Sequence, residues 1–234
     1  FLEGKAKRAA QSGLAYSLGA GFDDDDLRNI VAVYYGMIEA VDAQIGRVLE
    51  KLEELGVLQN TIVIFTSDHG EWLGDHGLLL KGPMLYDGLL RVPLVIAGPG
   101  VPEGMISRSP VSTLDLRSTL AELCGIKANV DDGLSLVPVM TGDEERYHAY
   151  GEWKVESARS GIDLDLRTVR TKRYRISFDM LSGAGELYDF DNDPEECQDL
   201  FNDQSMSQVR KELIGIIRDR KPFNLPSTSR VGWY

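Results

Sequence analysis

The feature that most constrains the fold is the uninterrupted apolar run Thr-Ile-Val-Ile-Phe-Thr-Ser at residues 61–67. A short run that is apolar or β-branched on both faces is typical of a strand covered on both sides, as in mainly parallel sheets. A second run, Val-Pro-Leu-Val-Ile-Ala-Gly at residues 92–98, has the same character. The sequence therefore predicts two buried strands of an α/β sheet.

A long amphipathic helix is predicted before the first strand. Four aspartates at residues 23–26 are interpreted as its N-terminal cap, because carboxylates accept hydrogen bonds from the free amides there and favour the positive helix end. A metal-binding cluster is the alternative. Apolar residues then recur at spacings of three and four up to Leu52, and Gly56 is a suitable C-terminal cap. A further helix is predicted within residues 111–125.

The last third of the chain has a different pattern. Short alternating runs at 148–153, 167–178 and 185–190, separated by polar or Gly-rich turns, predict antiparallel strands. The segment that follows places Val209, Leu213, Ile216 and Ile217 on one helical face. The sequence thus predicts two units. Residues 1–146 form an α/β unit with a mainly parallel sheet flanked by helices, and residues 147–234 form a small antiparallel sheet with a packing helix.

Composition narrows the set of partners. The formal net charge of −12 argues against a nucleic-acid or anionic-membrane surface, because each phosphate contact needs Lys or Arg. No apolar run approaches the roughly 20 residues that cross a bilayer, and the chain opens on Phe1 without a signal peptide. We therefore expect no nucleic-acid or membrane partner. The sequence leaves open a cytoplasmic or periplasmic location, and an oligomer is compatible with it.

The first predicted strand runs directly into Asp68 and His69. In open α/β sheets, ligand sites lie outside the carboxyl ends of the strands. Adjacent strand side chains point to opposite faces, so both groups reach one ion only if the chain leaves the strand here, a turn that Gly70 is expected to permit. A carboxylate with an imidazole suits a divalent cation: Ca²⁺ or Mg²⁺ among oxygens, Zn²⁺ or Mn²⁺ among nitrogens. The alternative is a polar turn with an exposed histidine.

Three segments resemble a known family. Residues 66–100, Thr-Ser-Asp-His-Gly through Ile-Ala-Gly-Pro-Gly, resemble the second signature block of the sulfatase family in the alkaline phosphatase superfamily. Residues 111–126 and 185–200 resemble later segments of the same family. The similarity extends over most of residues 31–200. It implies an alkaline-phosphatase-like sheet, hydrolysis of sulfate esters and a small sulfated substrate.

The resemblance also implies roles for individual residues. Asp68 and His69 correspond to metal ligands, and Lys81 corresponds to the lysine that binds the sulfate oxygens and helps to neutralise the leaving group. The implied ion is Ca²⁺, or Mn²⁺ or Zn²⁺ if the protein is a phosphonate monoester or phosphodiester hydrolase. His76 is expected to order the loop rather than to catalyse. For Lys81 the alternative is a solvated loop lysine.

The chain departs from the family where the nucleophile should be. Sulfatases use a formylglycine made from Cys or Ser in a Cys/Ser-x-Pro/Ala-x-Arg motif, and neither Cys124 nor Cys197 begins one. The family's paired N-terminal aspartates are also absent. We therefore interpret the chain as the C-terminal portion of a sulfatase, with the missing N-terminal half as its partner and formylglycine expected upstream. We expect the isolated chain to be inactive. A non-catalytic sulfatase-like module is the alternative.

Overall fold

The structure is a computed structural model that describes residues 22–127, 133–155 and 163–220. The outer ends of both predicted units lie outside these ranges. The helices and strands follow one another in this order: α1 (Asp24–Glu54), β1 (Val63–Thr66), α2 (Asp87–Leu90), β2 (Leu94–Ala97), α3 (Asp115–Leu123), α4 (Val137–Thr141), β3 (His148–Val155), β4 (Leu164–Thr171), β5 (Tyr174–Asp179), β6 (Gly185–Asp189) and α5 (Ser207–Asp219).

Helix α1 begins as the aspartate run predicts. The Asp23 carboxylate accepts hydrogen bonds from the backbone amides of Asp25 and Asp26, both at 2.9 Å, and Asp26 reaches back to the Asp23 amide. These bonds satisfy amides that the helix itself leaves unpaired. None of its residues is buried, although its apolar positions follow the helical period. Within the described part of the chain, no helix is both long enough and apolar enough to span a membrane.

Strands β1 and β2 pair in an antiparallel ladder, in which Val63 lies opposite Ala97 and Thr66 opposite Leu94. The predicted parallel direction is therefore wrong for this pair. A parallel pair needs a crossover connection, usually a helix, whereas the segment between these strands contains only the short 3₁₀ turn Asp75–Gly77 and the four-residue α2. The predicted burial of both strands is also wrong within this chain, since no residue of β1 or β2 is buried. An all-apolar run carries no information on the direction of the neighbouring strand or on which segment covers it.

The predicted C-terminal antiparallel sheet with a packing helix is confirmed. Strands β3, β4, β5 and β6 pair in sequence order, each antiparallel to the next. The run at 167–178 contains parts of two strands, because the chain turns between Thr171 and Tyr174. Leu213 and Ile217 of α5 are buried in one cluster with sheet residues. The sheet residues of that cluster are Tyr150, Val169, Ile176, Phe178 and Leu187.

The segment between β1 and β2 packs on the C-terminal sheet. Trp72, Tyr86 and Leu89 share a buried cluster with Tyr188 of β6. Leu85 is buried in another cluster, with Leu164 and Leu166 of β4. The loop that leaves the end of β1 is thus held by hydrophobic contacts to a sheet that follows it much later in the sequence.

Candidate active site

Asp68 and His69 leave the end of β1 side by side and turn toward each other. The Asp68 Oδ2 and His69 Nε2 atoms lie 3.6 Å apart, with the Asp68 side chain 85% exposed and the His69 side chain 37% exposed. The His69 amide donates a 3.0 Å hydrogen bond to Asp68 Oδ1. That bond, first among several causes, lowers the pKa of the Asp68 carboxyl. Asp68 is therefore a carboxylate at neutral pH.

The contacts of the His69 ring define its tautomer. Nδ1 lies 2.7 Å from the Gly70 carbonyl oxygen, which can only accept, so Nδ1 carries the proton in this hydrogen bond. Nε2 then presents its lone pair and accepts from the Lys81 ammonium at 2.8 Å. Histidines that bind metals commonly donate their other ring N–H to a carbonyl or carboxylate. The ring is thus oriented so that the Nε2 lone pair, which the Lys81 ammonium contacts, faces a positively charged group.

Lys81 lies at the same place as the two candidate ligands. Its ammonium faces His69 Nε2, and the residue itself is exposed. The structure therefore brings together the three residues that the sequence singled out, although twelve positions separate Lys81 from His69. Together they present one carboxylate, one imidazole lone pair and one ammonium on an accessible surface.

The donor set fits part of a metal site. An oxygen and a nitrogen separated by 3.6 Å match two ligands that each lie about 2.0–2.5 Å from one ion. Complete sites of Ca²⁺ or Zn²⁺ need at least four ligands. No group of three or more His, Cys, Asp or Glu side chains suited to a metal occurs within residues 22–127, 133–155 and 163–220. Asp68 and His69 thus fit as part of a ligand set, not as a whole one.

Gly70 is required for close packing rather than for a special backbone conformation. It is not among the residues with positive φ, so the expected use of dihedrals closed to other residues is wrong. Its amide donates to the Leu89 carbonyl oxygen at 2.8 Å. A Cβ atom here would lie 2.0 Å from the Gly88 carbonyl oxygen. Any side chain at position 70 would therefore push α2 away from Asp68 and His69.

The loop after Gly70 is ordered by its own polar and aromatic contacts. The Glu71 carboxylate accepts hydrogen bonds from the amides of Leu73 and Leu80, which fixes the residue before Lys81. The His76 ring stacks on Tyr86, with centroids 3.8 Å apart and planes inclined by 12°. This stack joins the turn at residues 75–77 to the residue that precedes α2.

Sequence reasoning missed two residues that contact this loop from the C-terminal part of the chain: Arg175 lies in β5, and Glu196 lies between β6 and α5. Arg175 and Glu196 form a buried ion pair, 0% and 3% exposed, and the other carboxylate oxygen of Glu196 accepts from the Asp87 amide at 2.7 Å. Glu196 is the last fixed position of the segment Glu-Leu-Tyr-Asp-x-x-x-Asp-Pro-x-Glu that resembles the family, but that resemblance does not show that the residue is buried. Its role is visible only in the folded structure, which brings Glu196 into contact with Asp87, 109 positions earlier in the chain.

Two family models match the chain. The model described as sulfatase matches residues 7–126, and the model described as the C-terminal part of N-sulphoglucosamine sulphohydrolase matches residues 74–221. The chain belongs to the sulfatase family. The family resemblance drawn from its motifs is therefore confirmed, together with membership of the alkaline phosphatase superfamily.

This sulfatase chain is 30% identical over 210 residues to Delta 4,5-hexuronate-2-O-sulfatase of Bacteroides thetaiotaomicron. The match covers 86% of the chain and 43% of that relative. A solved structure of a 2-O GAG sulfatase is similar with a TM-score of 0.78 at 28% identity, over 86% of this chain and 44% of that one. Phosphonate monoester hydrolase of Agrobacterium radiobacter is similar with a TM-score of 0.75 at 32% identity, over 85% and 42%. This sulfatase chain thus spans less than half the length of these proteins.

Proposed function

We propose that the chain is the C-terminal part of a metal-dependent sulfatase that hydrolyses the sulfate ester of a small molecule. The observation that carries this proposal is the convergence of Asp68, His69 and Lys81 at the end of β1. Membership of the sulfatase family supports the reaction class. An accessible group of one carboxylate, one imidazole and one ammonium suits a cation and an oxyanion held together.

Asp68 and His69 are proposed to hold the divalent cation. The Asp68 carboxylate is ionised at neutral pH, and the Nδ1 contact of His69 with Gly70 leaves Nε2 as an electron-pair donor. Ca²⁺ is the proposed ion for a sulfatase, and Mn²⁺ or Zn²⁺ for a phosphonate or phosphodiester hydrolase. A bound cation would supply positive charge that polarises the ester group and the attacking oxygen.

Lys81 is proposed to bind the sulfate oxygens. Ester cleavage places negative charge on those oxygens and on the departing alkoxide, and a fixed ammonium stabilises this charge most in the transition state. Lys81 is exposed, so a substrate can reach it. Lys81 Nζ lies 2.8 Å from His69 Nε2, so the ammonium stands beside the proposed cation site, and a cation on Nε2 would take over the lone pair that Lys81 contacts.

The nucleophile and the remaining ligands are proposed to come from the N-terminal half of the same protein. Two observations support this. The relatives are more than twice as long as the matched region, and α1 exposes Met37, Ile38, Val41 and Val48 to solvent by 48–60%. An apolar stripe of this size on an unburied helix is a surface that another part of a domain covers. The isolated chain is therefore proposed to lack turnover.

Coverage of α1 can be tested by hydrogen exchange. In the complete protein, the α1 amides should exchange more slowly than in the isolated 234-residue chain, because the added polypeptide covers the apolar stripe. The β4 and β5 amides should change much less, since their core is already buried. Equal exchange of α1 in both forms would contradict the proposed interface.

The sulfatase activity is tested with Lys81→Ala in the complete protein. We expect kcat/KM on an aryl sulfate to fall by about 10²- to 10³-fold, the usual loss for one preorganised charge-stabilising group. Lys51→Ala is the matched control, since Lys51 is an exposed lysine paired with Glu54 on α1. Activity that is equal in the two variants would exclude a substrate-binding role for Lys81.

The metal role is tested by Asp68→Asn and His69→Ala. Both variants should bind Ca²⁺ or Mn²⁺ more weakly in calorimetric titrations of the complete protein, and a chelator should abolish activity of the unsubstituted protein. Restoration by Ca²⁺ favours the sulfatase, and restoration by Mn²⁺ or Zn²⁺ favours the phosphonate or phosphodiester hydrolase. Unchanged metal affinity in both variants would refute the assignment.

A phosphonate monoester or phosphodiester hydrolase is the second candidate. It is favoured by the likeness to the hydrolase of Agrobacterium radiobacter at 32% identity. Rates of the complete protein on aryl sulfate, phenylphosphonate ester and phosphodiester substrates separate the two. A complete protein that hydrolyses none of them, although it binds metal, would support a non-catalytic sulfatase-like module.

A further inference from the structure

Backbone strain in this molecule is concentrated around the candidate site. Among the described residues, four that are not glycine have a positive φ, and three of them lie in the loop after β1. These are Leu73, His76 and Leu80, with φ values of 49°, 55° and 64°. The fourth is Glu196, with a φ of 54°. Such conformations persist only where the surrounding structure fixes them, and they cluster at functional sites.

Glu196 connects the C-terminal sheet with the start of α2. One carboxylate oxygen accepts from the Asp87 amide at 2.7 Å, and the other faces the Arg175 guanidinium. Arg175 also donates to Ser177 Oγ at 2.7 Å, so its own position is fixed within β5. The carboxylate therefore holds the first residue of α2 against a rigid part of the sheet.

The position of α2 determines the backbone beside His69. Gly70, the next residue, donates to the Leu89 carbonyl oxygen at 2.8 Å, and the Gly88 carbonyl occupies the space where a Gly70 Cβ would stand. A shift of α2 therefore alters the peptide group that accepts from the His69 ring. Three hydrogen bonds therefore connect Glu196 with His69. They join Glu196 to the Asp87 amide, the Leu89 carbonyl to the Gly70 amide, and the Gly70 carbonyl to the His69 ring.

A second path runs through aromatic rings. The Arg175 guanidinium lies over Tyr188 at 4.9 Å and over Tyr86 at 5.5 Å. Tyr86 in turn stacks on His76, in the strained turn that precedes Leu80 and Lys81. Removal of Arg175 or Glu196 would thus loosen both α2 and the turn that leads to Lys81.

We infer that Glu196, held in place by Arg175, is a positioning residue that keeps His69 and Lys81 in register through α2. Its consequence for catalysis rests on the proposed function. Its consequence for the geometry of the loop does not.

The test uses Glu196→Gln in the complete protein. A glutamine has one acceptor oxygen, whereas Glu196 serves the Asp87 amide and Arg175 with two, so one of these donors meets an NH₂ group. We expect the Gly70 amide to exchange at least about 10-fold faster, as local opening of α2 becomes easier. The contact of the His69 ring with Lys81 should weaken, seen as a shift of the His69 imidazole resonances.

Asp179→Asn is the matched control. Asp179 is also a buried carboxylate, 5% exposed, but it accepts from Asp165, Leu181 and Ser182 around the turn after β5. This variant should leave Gly70 exchange and the His69 resonances unchanged. Equal effects of the two substitutions on Gly70 and His69 would overturn the inference.

A second variant keeps the test valid if Glu196→Gln does not fold. The double substitution Arg175→Met with Glu196→Met removes both charges, and such replacements of a buried pair are often tolerated. The Asp87 amide still loses its acceptor, so Gly70 should again exchange faster while amides of Val169 and Ile176 keep their protection. Gly70 exchange at the original rate in this variant would refute the role of Glu196.

Kinetics separate this inference from the proposed function. In the complete protein, Glu196→Gln should lower kcat/KM on an aryl sulfate by about 10- to 100-fold, the scale expected for displaced catalytic groups. If the unsubstituted protein has no sulfatase activity but Gly70 loosens in the variant, the proposed function fails and the positioning role stands. If the protein is active and the variant matches the control in both exchange and rate, the positioning role fails.

Discussion

The two sheets of this chain differ in how completely they are covered. In the β1–β2 pair, Phe65 and Val95 lie opposite each other and are 42% and 59% exposed. In the four-stranded sheet, Val169, Ile176 and Leu187 have no exposed surface. The C-terminal sheet thus has its own core, whereas the first pair presents apolar surface outward. The loop that carries Lys81 begins at the uncovered sheet but is anchored on the covered one.

The largest expected effect contrasts a buried ion pair with an exposed one. Arg175→Met should lower the free energy of unfolding by about 3–5 kcal/mol, because Glu196 remains as an unpaired buried charge. Arg28→Met, which breaks a 2.6 Å pair with Asp25 on α1, should cost about 0–1 kcal/mol, since both side chains are more than 70% exposed. Denaturant unfolding measures both. Similar losses in the free energy of unfolding would show that the buried ion pair does not stabilise the protein more than the exposed one.

Truncation of apolar side chains gives the next contrast. Leu213→Ala should destabilise by about 2–5 kcal/mol, because Leu213 is 1% exposed within the α5 cluster. Val41→Ala on α1 should change the stability of the isolated chain by less than about 0.5 kcal/mol, since Val41 is 57% exposed. A larger effect of Val41→Ala in the complete protein than in this chain would locate the covering polypeptide on α1.

The ionised Asp189 carboxyl makes a smaller, pH-dependent contribution to the stability of the C-terminal sheet. Hydrogen bonds from Arg173, 2.7–2.8 Å long, lower the pKa of the Asp189 carboxyl to about 2 from its ordinary 3.8. A lowered folded-state pKa means that the stabilisation is complete above about pH 4 and is lost as the pH falls toward 2. Because the Arg173 side chain is 46% exposed, solvent screening reduces this contribution to about 1–2 kcal/mol.

Unfolding of the original protein and of Asp189→Asn, compared at pH 6 and at pH 2.5, measures that contribution. The stability difference between the two should shrink at the lower pH. A difference that is independent of pH would mean that the Arg173 contact does not stabilise the ionised carboxyl.

The smallest expected effect concerns the cap of α1. Asp23→Ala should cost about 1 kcal/mol and raise the exchange rate of the Asp26 amide, because two amides lose their acceptor. Asp24→Ala is the control, since Asp24 makes only a 4.0 Å contact with Arg28. If the two substitutions have equal effects, the aspartate run acts through charge alone and not through the cap.

Much of the local structure could be predicted from sequence because its causes are local. The period of three and four in α1, the aspartate cap and the alternating runs of the C-terminal sheet each reflect geometry within a few residues. The direction of β2 beside β1 could not be predicted, because pairing depends on a partner distant along the chain. The burial of Glu196 was missed for the same reason.

The features of the candidate site also separate into those that the sequence predicts and those that depend on contacts between distant segments. Sequence by itself singled out Asp68, His69 and Lys81 as the residues proposed to carry the chemistry, because the types of residue and the family motif lie in one short stretch. Only the tertiary structure decided that Gly70 must be small to admit the Gly88 carbonyl, and that the Glu196 carboxylate reaches the Asp87 amide from the segment after β6. Ligand identity follows from side-chain chemistry, whereas ligand placement follows from packing between segments that the chain order separates.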